Sequence, residues 1–475
     1  MPVTTDPAAL LTPQGAELLA RLAALKEAGT SELAVAERLR REYPAALVAT
    51  AMAQQELRAA AVAKFSRAAE MLFTRAGYEQ SSSEAIARYR AARLKDASRV
   101  ADLCCGIGGD LIALAAASDV LAVDRDATHA RLARHNAAVY GRAGHVTTLV
   151  ADVRDVRLPG RLDAVFVDPA RRSGPGAAQL AHAATAALAA PTARGQAGTS
   201  RRFRAGTSEP PLDWCVALAG QGVGGICIKA APGIPEELIP PAWEAEFIAE
   251  GRDLKEAVLW SPSLASAPAT PERGPRRATV LAPSGHPERH PERHPERHPG
   301  GRQERRTDGG PHTLTPRPGD PVPLRAPGAY LLDPNPAVTR AGLVEDLARD
   351  LGGDIAKIDP LIAFLTLDRD LRTPFARTLR VNYSAPWNEK QFARRLRELG
   401  VGAVDIRRRG LAGDVDQIRR RLKLAGKTRA TVVITRVNDK PWGLICADPD
   451  EPPPAPAPPA PAPPAPAPPG GFGRR

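Results

Sequence analysis

Aromatic side chains are scarce in this sequence: Phe, Trp and Tyr together make up 4% of it. The core must therefore be mostly aliphatic, and the hydrophobic fraction of 43% is enough to build one. Cysteine is rare as well. The five present, Cys104, Cys105, Cys215, Cys227 and Cys446, form no C-x-x-C pair and no metal-ligand spacing. That excludes a disulfide framework and fits a reducing cytoplasm. Long apolar runs are missing too, since nothing approaches the ~20 residues a bilayer crossing needs. The first residues, MPVTTDPAALLTPQG, lack the basic and apolar regions of a signal peptide. A cytoplasmic protein with no membrane partner and no metal is expected.

What the chain does have is length, charge and punctuation. Its 475 residues are too many for one compact domain. Residues 1–95 read as helical, opening with the N-cap pair Thr12-Pro13 and closing with SSSEAIARYRAARL. From 96 to 284 short apolar runs alternate with helices, the pattern of a parallel α/β sheet. Strands are expected at 99–104, 120–124, 146–152, 164–168, 224–230, 245–250 and 276–282. Residues 285–324 carry the tandem repeat HPERHPERHPER and are expected as a disordered low-complexity insertion, because histidines in a proline-broken chain make no metal site. Residues 325–447 begin with a turn and a helix and end in a small α/β unit. Its elements are the helix NEKQFARRLRELG, the strand VGAVDIRRRG, the helix DVDQIRRRLKLAG, and the strand RATVVITRV with WGLICA as hairpin partner. The proline-rich tail, 448–475, is expected to be disordered.

The net charge of +12 suggests a polyanionic partner, and it is localised. From Ala376 to Cys446 there are 17 Lys and Arg against 6 Asp and Glu, a net of +11. The triplets Arg407-Arg408-Arg409 and Arg419-Arg420-Arg421, with Arg394, Arg395 and Arg397, carry most of it. RNA is the natural polyanion for such a surface.

The most informative stretch is 99-RVADLCCGIGGDLIALAA-116. An apolar strand ends in Asp102 and is followed by a glycine-rich turn and a helix, which lets a ligand approach the backbone closely. Acidic residues then end the next three expected strands: Asp124, Asp152 and Asp168. Together they line the carboxyl edge of the sheet, where open α/β folds bind ligands. An aspartate ahead of the turn repels a pyrophosphate and welcomes an ammonium, so S-adenosylmethionine is the expected cofactor, with Asp124 on its ribose hydroxyls and Asp152 near its adenine amino group. The serines and Gln80 of 78-YEQSSSEAIARYR-90 precede this core and either cap a helix or cover the cleft.

DLCCGIGGD resembles the first motif of class I methyltransferases, close in form to that of trimethylguanosine synthases. DPARRSG is similar to the Asp-Pro motifs of RNA and amino-group methyltransferases. With the helical start and the basic end, the chain resembles a bacterial family of class I methyltransferases with a C-terminal THUMP-like domain. The resemblance implies a cofactor site at Asp102, Gly106, Gly108, Asp124 and Asp152, with Asp168 and Pro169 facing the methyl acceptor. Arg171, Arg172 and Lys229 are candidates for substrate phosphates, and Arg407, Arg408, Arg409, Arg419 and Arg420 for RNA. Two departures matter. Ala170-Arg171 replace the second proline and aromatic of the amino-group enzymes, and no Ser-Cys-Asn-Pro nucleophile motif occurs; Cys227, inside the apolar GGICIKA run, reads as core.

The expected fold is α/β: a Rossmann-type, seven-stranded methyltransferase core between a helical N-terminal region and a small basic α/β domain. The expected activity is S-adenosylmethionine-dependent methylation of structured RNA, tRNA or rRNA. A small-molecule or protein acceptor, and a non-catalytic RNA-binding scaffold, remain the alternatives.

Overall fold

A computed structural model describes residues 6–171, 208–270, 274–283, 310–411 and 414–450. The HPER repeat, Arg172 and the tail beyond Asp450 lie outside the described residues.

The N-terminal helices run Pro13–Glu27, Glu32–Leu39, Ala45–Ala61, Arg75–Gln80 and Glu84–Ala92. The first starts where expected: Thr12 Oγ1 accepts the Gly15 N–H at 3.1 Å, and Pro13 occupies the first helical position. These helices are not a detached extension. Leu18, Leu39, Phe65 and Phe73 share a core with Ile107, Ile112 and Leu132 of the α/β unit. Fully buried Asn136 stitches the two together. Its Oδ1 accepts the Leu72 N–H at 2.9 Å, while its Nδ2 donates to Leu72 O at 3.0 Å and Ile107 O at 2.8 Å. Among the described residues no helix is long and apolar enough to cross a membrane.

The larger sheet is built from β1 (Arg99–Leu103), β2 (Asp119–Asp124), β3 (Val146–Val150), β4 (Ala164–Val167), β7 (Ile226–Ala230), β8 (Glu244–Glu250), β9 (Asp253–Trp260), β10 (Arg276–Leu281) and β11 (His312–Leu314). Between β4 and β7, the two-residue strands β5 (Ala170–Arg171) and β6 (Ser208–Glu209) pair with each other. The sheet order is β11-β10-β8-β9-β7-β4-β1-β2-β3, with β3, β2, β1, β4 and β7 all parallel. Among the described residues the sheet thus has nine strands where seven were expected. The unforeseen β9 runs antiparallel between β7 and β8, turning on Gly251 at φ 57°. Its opening, Asp253-Leu254-Lys255-Glu256, reads as a polar loop, yet Glu256 is 2% exposed. The helix Glu84–Ala92 and its C-cap Arg93 supply the counter-charges: Arg90 pairs with Glu256, and Arg93 with Glu244 and Glu246.

Of the stretch 285–324 expected as an insertion, residues 310–324 are described, and there β11 pairs with β10 as a ninth strand. The chain then enters a second sheet of β12 (Tyr330–Pro334), β13 (Ala356–Lys357), β14 (Leu365–Leu367), β15 (Ala376–Pro386), β16 (Val401–Arg408), β17 (Thr428–Val437) and β18 (Lys440–Ala447). Their order is β13-β14-β12-β15-β18-β17-β16. β17 and β18 form the anticipated hairpin on Asn438 and Asp439, both at positive φ as a two-residue turn requires. Leu332, Ala337, Leu365 and Phe375 pack into the same core as Phe247 and Ala278 of the first sheet, so the segment before β15 belongs to the α/β core. Arg340 reinforces the joint by donating to Pro232 O at 3.0 Å and Ile234 O at 2.7 Å.

Candidate active site

The glycine turn is sterically demanding in two ways. Cys104, Gly106 and Gly108 have φ of 64°, 53° and 87°, a region that favours glycine. A Cβ on Gly108 would lie 3.0 Å from Ala133 Cα, so this glycine lets the helix Ala127–Val139 pack close. A Cβ on Gly106 would meet nothing within 4 Å, so its free side is available to a ligand. On the N-terminal side, Gly77 sits against Ile107, and Gly109 against Ser81. The segment with Gln80 and Ser81–Ser83 therefore walls the turn, as one of its two readings anticipated.

The acidic strand ends behave differently from one another. Asp102 has no exposed surface, and among the described residues neither carboxylate oxygen has a hydrogen-bond partner. Burial pushes its carboxyl far above the ordinary value, and the nearby Asp110, Asp168 and Asp124 carboxylates add to the rise. Asp124 is fixed by backbone: Oδ2 accepts the Gly106 N–H at 2.8 Å and Oδ1 the Asp126 N–H at 2.9 Å. Asp152 holds Arg154, which donates from Nε at 2.9 Å and from Nη2 at 2.6 Å and also reaches Glu209 at 2.8 Å. Those hydrogen bonds hold the Asp152 carboxyl down at about 2.

Asp168, at the end of β4, has one oxygen committed. Lys229 Nζ donates to its Oδ2 at 2.7 Å and lies 3.4 Å from Gln80 O. Burial raises the Asp168 carboxyl and the Lys229 ammonium opposes that rise. The sequence placed Lys229 at a substrate phosphate; the structure pairs it with Asp168. Cys227 is fully buried and its thiol is pushed up by burial, as suits a core residue. Pro169 follows Asp168 directly, and Ala170-Arg171 form β5.

A family model described as RNA cap guanine-N2 methyltransferase matches residues 97–186, and one described as THUMP domain-like matches 376–448. A domain of unknown function matches 4–61. An uncharacterised S-adenosylmethionine-dependent methyltransferase of Mycobacterium tuberculosis, found in two strains, is 32% identical over 375 residues, 78% of this chain and 85% of the relative. The chain belongs to the S-adenosylmethionine-dependent methyltransferases. Its fold resembles the crystal structure of a protein from Porphyromonas gingivalis W83 provisionally described as a methyltransferase. The two superpose with a TM-score of 0.62 at 19% identity, over 90% of this chain and 97% of that one.

The chemistry of the donor set fits the cofactor. A buried carboxylate with two unpartnered oxygens beside an open glycine is what a methionine ammonium needs. Missed in the sequence were Arg90, Asp110 and Glu256. Arg90 is 2% exposed and joins Asp110 of the glycine turn to Glu256 of β9, with Ser82 Oγ 2.9 Å from Nη2. A signal was there: Ile86, Tyr89, Arg90 and Arg93 share one helical face, which puts the arginines on the apolar stripe. Lys64 was also missed. Its Nζ donates to Tyr78 O at 2.7 Å and Ser81 O at 3.0 Å, and burial lowers it to about 8.

In the THUMP-like unit the basic residues divide. The helices Glu389–Glu398 and Val415–Leu422 pack over a common core and expose Lys390, Arg394, Arg397, Arg419 and Arg420. Arg407 and Arg408 lie on the edge strand β16, and Arg407 meets Asp405 at 3.0 Å. Arg409 faces inward. It pairs with Asp333 at 2.9 Å, over the Phe364 ring, and Arg252 of the larger sheet meets the same Asp333 at 3.0 Å. Asp333 is 3% exposed and lies on β12, so Arg409 ties together elements of its own sheet while Arg252, from the β8–β9 turn, crosses to the larger one; Arg409 is not part of the outer basic surface.

Proposed function

We propose that this methyltransferase modifies RNA, with the basic helix layer of the THUMP-like unit holding the polynucleotide and Asp168 facing the acceptor. The observation that carries the RNA reading is the placement of Lys390, Arg394, Arg397, Arg419 and Arg420 on the exposed side of two packed helices, where each can meet a backbone phosphate.

In this reading the cofactor supplies a methyl group on a cationic sulfur. Asp102 receives the ammonium of its amino-acid end. Asp124 is held rigidly by the Gly106 and Asp126 N–H groups and keeps lone pairs for the ribose hydroxyls. Asp152 orients Arg154 at the adenine end. On the acceptor side, Lys229 occupies Asp168 Oδ2 and leaves Oδ1 for a hydrogen of the acceptor group. Asp168 then takes, or passes to water, the proton that the acceptor loses on methylation. Methyl transfer is an in-line displacement, so alignment of the acceptor contributes more than proton transfer. Gln80 and Ser81–Ser83 close the N-terminal side of the cleft and limit the entry of water.

The test is tritium transfer from methyl-labelled S-adenosylmethionine into total RNA from a strain lacking the protein. Label is expected in RNA with wild type and absent with Asp168→Ala. Label appearing only in the protein or small-molecule fraction would overturn the RNA reading.

A further inference from the structure

We infer that Asp102 is uncharged in the free protein and exchanges its proton for the ammonium of the arriving cofactor, so that each cofactor bound releases one proton to solvent. The inference rests on the assignment of Asp102 to the cofactor's amino-acid end.

The surroundings of Asp102 carry it. The residue lies on β1 between β2 and β4, and both its oxygens are buried without a donor. Three carboxylates lie near enough to act on it: Asp110 after the glycine turn, Asp124 at the end of β2 and Asp168 just after β4. Each of those has its own partner: Arg90 for Asp110, backbone N–H groups for Asp124, and Lys229 for Asp168. Asp102 has none. The cation that faces it is Arg90, whose two terminal nitrogens are engaged by Asp110, Glu256 and Ser82. A carboxylate buried without donors among like charges keeps its proton rather than carry an unpaired charge.

An ammonium reverses the balance, because it brings three N–H donors and a positive charge to both orphaned oxygens. The exchange is balanced: Asp102 loses H⁺, the ligand keeps its ammonium, and the carboxylate–ammonium pair is neutral. Below the midpoint of Asp102 in the free protein, affinity falls about tenfold per pH unit, since a proton must be expelled. Above that midpoint the proton is already gone and affinity levels off. A ligand with the same nucleoside and no amino-acid end gains nothing from the exchange.

The experiment is isothermal calorimetry of the whole chain with S-adenosylhomocysteine, near neutral pH, in two buffers of different ionisation heat. About one proton should leave per ligand bound. 5′-Methylthioadenosine, which lacks the ammonium, should release none and bind with a flat pH dependence on the same wild-type protein. Asp102→Asn should bind S-adenosylhomocysteine more weakly and without proton release. Buffer-independent heat for wild type with S-adenosylhomocysteine overturns the inference. So does equal proton release with 5′-methylthioadenosine or with Asp102→Asn. No binding by wild type at all would strike the cofactor assignment itself, an outcome distinct from binding without proton release.

Discussion

Replacing Lys229 by Met removes the cation 2.7 Å from Asp168 Oδ2 and leaves the carboxylate among Asp102 and Asp110. A cation at that range lowers a carboxyl by about 1–3 pH units. The variant's Asp168 should therefore titrate higher by that amount, on top of the rise that burial already causes. At a pH below the wild-type midpoint the anionic fraction falls about 10- to 1000-fold, the fall shrinking as pH rises toward and past the variant's own midpoint, and methyl transfer falls with it. The sign is fixed: activity returns as pH rises, because only the anion can accept the acceptor's hydrogen. Lys229→Arg keeps the cation and should stay near wild type. Initial rates with saturating cofactor over about pH 5–9 read this directly. A Lys229→Met profile with an unmoved midpoint and a uniformly lower rate would refute the reasoning and assign Lys229 to packing or substrate contact.

Three further outcomes are expected. Asp102→Asn should stabilise the free protein at neutral pH. The wild-type carboxyl ionises in the unfolded chain near 3.8 but far higher when folded, so wild-type stability declines by about 1.4 kcal/mol per pH unit between those values; melting temperatures that diverge as pH rises from 4 check this, and parallel curves would contradict it. Asn136→Ala strands the Leu72 N–H, Leu72 O and Ile107 O in a buried site, at about 1–3 kcal/mol each. A clear drop in denaturation midpoint with weaker S-adenosylhomocysteine binding is expected, and an unchanged midpoint would exclude the stitch. Arg419→Ala with Arg420→Ala should reduce the salt slope of RNA binding by about 1 for each phosphate no longer neutralised, at constant stability. Arg409→Ala should instead cost about 1.5–3 kcal/mol by removing one of the two cations on buried Asp333, Arg252 remaining; a changed slope without reduced stability would return Arg409 to the outer surface.

Legibility in the sequence followed locality. The glycine turn and the parallel strands before it and after it are written in short stretches, and so are the helices and hairpin of the THUMP-like unit. β9 was hidden because its buried Glu256 finds its cation 166 residues earlier, on Arg90. Alternation is a guide only when the polar positions face water, and here Glu244, Glu246 and Glu256 face arginines. Arg409 misled for the mirror reason: a run of three arginines looks like one surface, but β16 ends at Arg408 and the residue beyond it reaches the buried Asp333. Lys229 was read as a contact to a substrate phosphate, while its partnership with Asp168 depends on β4 and β7 being neighbours, which no local pattern announces.

The helix Glu84–Ala92 has a consequence for how this protein can be divided. By composition the chain changes character near residue 96, an inviting place to cut or to graft another head onto the catalytic sheet. A chain beginning there would retain Glu244, Glu246 and Glu256 in the sheet interior and lose Arg90 and Arg93, the cations that make those carboxylates tolerable. The sheet would also lose the Arg90 bridge to Asp110 of the glycine turn. The modular unit of inheritance is therefore longer than the catalytic sheet, and it cannot be exchanged between relatives without the helical residues that neutralise it.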